Sequence, residues 1–172
     1  QLKRALKDCS PPIWRRFVVP AELPLDELHQ VIQVVMGWNN SHLHQFRAGE
    51  LCYRLPGPDG EDPPHARDER KFTLFHIARK GDRILYEYDF GDDWKHEITV
   101  EDVQPVDPKD ANLRCLDGAR ACPPDDIGGP HGYAHFLKVI KNPKHKEIGS
   151  SWSGSAASST RRASTFGRST PT

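Results

Sequence analysis

His42 and His44 stand two positions apart in SHLHQF, and on a β-strand that spacing puts both imidazoles on one face, where they can be presented to a single metal ion. A second group of potential ligands lies in YEYDFGDDWKHEI, residues 86 to 98, where Asp89, Asp92, Asp93 and His96 crowd one turn. Drawn together, His42, His44, Asp89, Asp92 and His96 would make a divalent-metal site able to activate water for a hydrolase or nuclease, with His42, His44, Asp89 and His96 as the ligand candidates. Trp38, Asp93 and Trp94 complete the set of candidate binding residues. The competing structural reading is that the histidines and Ser41 satisfy local hydrogen bonds beside Phe46 and Trp38, since no HExxH or two-Cys, two-His pattern is present.

Other constellations are weaker. Cys115 and Cys122 are too far apart for a CxxC knuckle and read as half a zinc site with His131 or His135, a redox pair, or buried thiols that pack a loop, the last being favoured. Asp125, Asp126, Gly128 and Gly129 precede a helix, where carboxylates cap free amides or a glycine turn binds an anion. Trp14, Arg15 and Arg16 could stack on a base and contact phosphate, but successive strand residues face opposite ways, so a solvated edge strand is the expectation. GxSxG, Walker A, GxGxxG and kinase signatures are absent.

Charge narrows the partners. The 172 residues hold 24 basic and 24 acidic side chains, yet Arg161, Arg162 and Arg168 follow the last acidic residue, Glu147; without those three, 21 basic face 24 acidic residues, about −3. Duplex binding draws its affinity from neutralised phosphates, so nucleic acid is not the expected partner. A protein or small-molecule ligand is. No apolar signal-like start and no run of 18 apolar residues occurs, which with four cysteines reads as a cytoplasmic chain with reduced thiols and no membrane span.

These side chains need elements to hold them. Alternation on both sides of Ser10-Pro11-Pro12 predicts two strands, LKRAL and IWRRFVV. Leu25, Leu28, Ile32, Val35 and Met36 recur at helical spacing behind Pro24, with Asp26 and Glu27 in the first turn and Gly37 as the stop. A hairpin is predicted to turn at Ala48-Gly49-Glu50, with His42, His44 and Phe46 on one face. Residues 56 to 70 read as an exposed proline-rich loop, 73 to 80 as a short helix, and 83 to 101 as a hairpin with Tyr86, Tyr88, Phe90, Trp94, His96 and Ile98 on its aromatic face. An irregular stretch from Gln104 to Pro130 leads into a helix, GYAHFLKVIKNP, ended by Pro143. The order implies a single α+β domain with an antiparallel or mixed sheet, hairpins, and two or three helices against it.

From residue 148 the composition shifts to Ser, Thr, Gly and Arg without an acidic residue. It reads as a disordered tail, residues 148–172, and also as what a GC-rich gene gives out of frame, because another frame yields an amphipathic segment resembling ELLEWVG followed by FDPE. The domain is accordingly placed at residues 1–147.

The motifs PPIWRR, LDELHQVIQVVMGWNNSHLHQF, DERK, YEYDFGDDWKHEI and CLDGARACPPDDIGGPHGY, in that order, resemble the plasmid pRiA4b ORF-3-like family, some of whose members are passenger genes of insertion elements labelled TnpR-like. The resemblance implies an α+β fold and a bacterial protein of plasmids or mobile elements. It transfers no catalytic residue and implies no recombination, since nothing resembles a resolvase serine region. The resulting expectation is a non-catalytic binding or accessory domain that uses the aromatic face and acidic turn from Phe90 to Trp94 as its contact surface. The alternatives are the metal-dependent hydrolase or nuclease and a nucleic-acid-binding protein linked to element mobility.

Overall fold

The computed structural model describes residues 1–57, 62–105, 107, 112–142 and 144–146. The readings of the tail beyond 147 therefore lie outside the described residues. Strands β1 (Leu2–Leu6) and β2 (Trp14–Val18) form the first hairpin, the β-branched and aromatic residues of the second strand pairing Phe17 with Leu2 and Trp14 with Ala5. Helix α1 (Leu25–Met36) follows. Its stop is physical: Gly37 adopts φ 72°, a left-handed cap that a side chain would strain, and Trp38 N–H donates to Gln33 O at 3.0 Å.

Next come β3 (His44–Ala48) and β4 (Leu51–Arg54), joined through Gly49 and Glu50. Residues 66–68 then form β5 (Ala66–Asp68), which lies parallel to β4, and Glu69–Lys71 form a 3₁₀ turn. Helix α2 is a single turn (Leu74–Ile77), and β6 (Arg83–Tyr88) pairs with β7 (Trp94–Val100). Strand β8 (Arg114–Ala119) and helix α3 (Gly129–Lys141) complete the described elements. The eight strands make one mixed sheet in the order β5-β4-β3-β6-β7-β1-β2-β8, antiparallel throughout except at β4–β5.

Period-two alternation decides what the sheet buries. Along β7 every second residue is buried, Trp94, His96, Ile98 and Val100, and along β1 Leu2, Arg4 and Leu6. Leu25, Leu28, Ile32 and Met36 of α1 and Tyr133 and Phe136 of α3 join these residues in one core. No helix among the described residues is long and apolar enough to cross a membrane.

Two sequence expectations fail here. The stretch 56 to 70 is not all exposed loop: it supplies β5 and a completely buried Glu69. The stretch 104 to 130 contains β8, which pairs with β2, so Trp14 to Val18 is an interior strand and β8 takes the edge. Arg15 and Arg16 do face opposite ways. Arg16 forms an ion pair with Glu101 at 2.6 Å beside the Trp14 ring, while Arg15 bonds the carbonyls of Trp14, Ala119 and Arg120.

Candidate metal centre

Three connections meet at one end of the sheet, and each brings acidic or imidazole side chains. The link from α1 to β3 carries His42, the turn from β6 to β7 carries Asp89, and the link from β8 to α3 carries Asp125 and Asp126.

The β6–β7 turn is self-built. Asp89 takes φ 54°, tolerable for an aspartate whose Oδ1 accepts from Gly91 N–H at 3.0 Å and Asp92 N–H at 3.3 Å. Asp89 N–H donates to Leu43 O at 2.9 Å, tying the turn to the strand that follows His42. Asp92 reaches the third connection, its Oδ2 accepting from Gly128 N–H at 3.0 Å. Gly129 must be glycine there: φ is 66°, and a Cβ would stand 2.2 Å from Asp92 O. The Asp-rich turn and the Gly-Gly pair are thus two halves of one contact. Helix α3 is capped by Gly128 without a side-chain bond, so Asp125 and Asp126 do not play the capping role expected of them.

The first and third connections are held by Trp38. Its Nε1 donates to Pro123 O at 2.9 Å, and its ring stacks on Tyr88 at 4.8 Å. Tyr88 hydroxyl accepts from Ser41 N–H at 3.1 Å, and its ring lies edge-on to His42 at 5.7 Å. Asp125 Oδ2 accepts from Asn39 N–H at 3.2 Å.

With that scaffold, His42 Nε2 lies 2.7 Å from Asp126 Oδ1 and 3.6 Å from Asp89 Oδ2, and one ligand atom from each residue falls within 4.8 Å of the others. Among the described residues this is the one group of three or more His, Cys, Asp or Glu side chains so arranged. Burial works against charge on His42, but the hydrogen bond to Asp126 and the fields of Asp89, Asp126 and Asp125 outweigh it, so its pKa is raised. Asp125, 7% exposed, stands close enough to feel both neighbouring carboxylates. Burial, Asp126 and Asp89 push its pKa up against the Asn39 hydrogen bond and His42, and its Oδ1 has no hydrogen-bond partner among the described residues.

Of the candidates read from sequence, His42 and Asp89 meet. His44 does not join them: its Nε2 lies 3.0 Å from both oxygens of Glu69, and its ring stacks on His29 at 3.5 Å and 2°. His42 precedes β3, so the strand rule that placed the two histidines on one face does not hold. His96 is wholly buried on the sheet, its Nδ1 accepting from Arg4 Nη1 at 2.7 Å, and burial beside that guanidinium drives its pKa well below the usual value. Asp92 holds Gly128, and Asp93 pairs with Lys95 at 2.7 Å. Trp94, like Tyr86 and Tyr88, is fully buried, so the aromatic face is core rather than contact surface; Phe90, 42% exposed, is the exception, because it lies in the turn.

The sequence did not bring Asp126 into the site, nor Glu69 into any. The adjacent aspartates before Gly128-Gly129 were visible, but their meeting with the β6–β7 turn is a tertiary contact. Glu69 sits in the charged run ARDER and carried no signal of burial. It helps line a cavity of about 260 Å³ with His29, Asn40, His42, His44 and Arg54, so His42 borders both this cavity and the acidic cluster.

Comparison with known proteins places the sequence and the fold in a family. Residues 1–156 match the model of the plasmid pRiA4b ORF-3-like proteins. The chain is 36% identical over 160 residues to a protein of Sinorhizobium fredii (strain NBRC 101917 / NGR234) titled uncharacterized protein y4hQ, covering 91% of this chain and 81% of that one. Its fold matches the crystal structure of MM3350 from Methanosarcina mazei Go1, titled a protein of unknown function, with a TM-score of 0.77 at 33% identity over 86% of this chain and 84% of that one. The chain belongs to the plasmid pRiA4b ORF-3-like family.

Proposed function

We propose that this protein is a non-catalytic accessory domain that binds one divalent cation at His42, Asp89 and Asp126. The observation that carries this reading is the convergence of their ligand atoms, from three separate connections, to within 4.8 Å of one another. One imidazole with carboxylates suits a borderline cation such as zinc or manganese better than calcium, which prefers oxygen alone. Three protein ligands leave positions open, and a carboxylate or imidazole of a partner protein is the chemistry that fills them. The contact surface is then the loop end of the sheet, where Phe90 and Leu43 are exposed beside the cluster. Life in the bacterial cytoplasm, as a passenger of plasmids or insertion elements, belongs to the same reading.

Calorimetric titration with zinc and with manganese tests it. One equivalent is expected to bind the wild-type protein, and His42→Ala and Asp126→Asn are expected to abolish that binding while His96→Gln does not. Binding that survives both cluster variants removes the proposal.

The His44–Glu69 pair favours a second reading, metal-dependent hydrolysis. A histidine oriented by a buried carboxylate, in a cavity that His42 also lines, is a general base in waiting. Hydrolysis of activated esters or phosphodiesters that requires both the cation and His44 would support it; inactivity of the zinc- and manganese-loaded protein would leave the accessory reading.

A further inference from the structure

The sheet face buries a positive charge without a carboxylate. Arg4 is 0% exposed, its Nη1 donates to His96, and its Nε and Nη2 have no hydrogen-bond partner among the described residues. Arg15 stands beside it, its guanidinium donating to three backbone carbonyls and to Cys122 Sγ. Neither arginine forms an ion pair with an Asp or Glu among the described residues. An isolated cation in the interior is costly, so a compensating negative charge is expected within reach. Burial lowers the Arg4 pKa to about 10, and the neighbour that most offsets this loss is Cys122.

Cys122 lies close to both guanidinium groups. Its Sγ accepts from Arg15 Nη2 at 3.2 Å, and the Arg4 cation is attracted to the same sulfur. The half-buried thiol has Val35 O, at 3.8 Å, as a weak acceptor. The other cysteines lack this setting. Cys52 donates to Gln45 Oε1 and Cys9 lies beside Asp8, and burial pushes both thiols up; exposed Cys115 has Asp117 O as its neighbour at 3.8 Å.

We propose that Cys122, whose sulfur accepts a hydrogen bond from Arg15 beside the buried Arg4, is an oxidation site that reacts with small hydroperoxides. The thiolate attacks the terminal oxygen of the peroxide; an S–O bond forms as the O–O bond breaks, and the departing alkoxide or hydroxide takes a proton from water. Sulfur is oxidised by two electrons to sulfenic acid and the peroxide is reduced to an alcohol or water. Two guanidinium groups favour the reacting anion electrostatically, and partial exposure admits a reagent of this size.

The test uses the whole, cation-free protein, treated at neutral pH with substoichiometric hydrogen peroxide, trapped with dimedone and mapped by peptide mass spectrometry. Cys122 is expected to be labelled before Cys115 although Cys115 is more exposed. Arg15→Gln is expected to slow labelling of Cys122 about tenfold and to leave Cys115 unchanged, while Arg15→Lys restores most of the rate. The wild-type order of labelling is decisive even if Arg15→Gln does not fold. Labelling of Cys115 first, or an unchanged Cys122 rate in folded Arg15→Gln, overturns the proposal.

Discussion

Replacing Gly129 by alanine tests whether the acidic turn and the Gly-Gly pair form one contact that holds the site together. Two costs add. The left-handed backbone at φ 66° strains any L-residue by about 1–2 kcal/mol. The new Cβ, 2.2 Å from Asp92 O, must also push the β6–β7 turn away, breaking the bond from Gly128 N–H to Asp92 Oδ2 for about another 1.5–3 kcal/mol. Gly128→Ala is the control, because it bears a similar strain at φ 84° but meets only Gly132 Cα at 3.7 Å. Urea denaturation is expected to show a loss of about 2.5–5 kcal/mol for Gly129→Ala against about 1–2 for Gly128→Ala. In a chain of this size that corresponds to melting points lower by about 5–20 °C and about 2–8 °C. Gly129→Ala is also expected to weaken cation binding, since it separates Asp89 from Asp126, and Gly128→Ala to preserve it. Equal losses in the two variants would refute the argument, as would a Gly129→Ala protein that binds the cation normally.

Other outcomes follow from the buried network. His29 Nε2 donates to Asn40 Oδ1 and its Nδ1 accepts from Tyr86 hydroxyl, so the ring is neutral; burial, then the neighbouring His44, lower its pKa to about 4. A histidine depressed on folding contributes stability above its unfolded pKa of about 6.5 that drains away as pH falls toward 4, so thermal melts should decline across that window and His29→Gln should flatten the decline. Tyr86→Phe removes the hydroxyl that His29 and Gln33 share and should cost about 1–2 kcal/mol in urea denaturation. Glu69→Ala strands the His44 Nε2 in the interior and should cost about 1–3 kcal/mol by the same assay. Because His42 carries a raised pKa and must lose its proton to ligate, zinc affinity measured by calorimetry should begin to fall at a pH above the usual histidine range and weaken further with acid.

What the sequence revealed of this architecture depended on whether an element buries one face. Helix α1 and the β6–β7 hairpin each hide a stripe of large side chains, and their periods of 3.6 and two stand out in the residue order. Strand β8 is exposed along nearly its whole length, so RCLDGA has no alternation to read, and three-residue β5 is defined by its partner rather than by its own residues. The metal candidates divide in the same way. Local spacing found His42 and Asp89, but Asp126 reaches them only because Gly128-Gly129 docks on the Asp92 turn, a contact between distant segments. His44 and His96 were drawn toward the cluster by proximity in sequence, and the pleat sends both into the core, where Glu69 and Arg4 hold them. Burial likewise makes Trp94 a core residue and leaves Phe90, at the tip, to face solvent.

The central claim is that His42, alone among the histidines near the sheet, takes part in cation binding. Long-range nitrogen-15 correlation spectra of the imidazoles during a zinc titration read each ring separately. The account predicts that the His42 resonances change and saturate at one equivalent, with Nε2 as the liganded nitrogen, while those of His29, His44 and His96 stay in place. Zinc-dependent changes at His29 or His44 with His42 unmoved would contradict it.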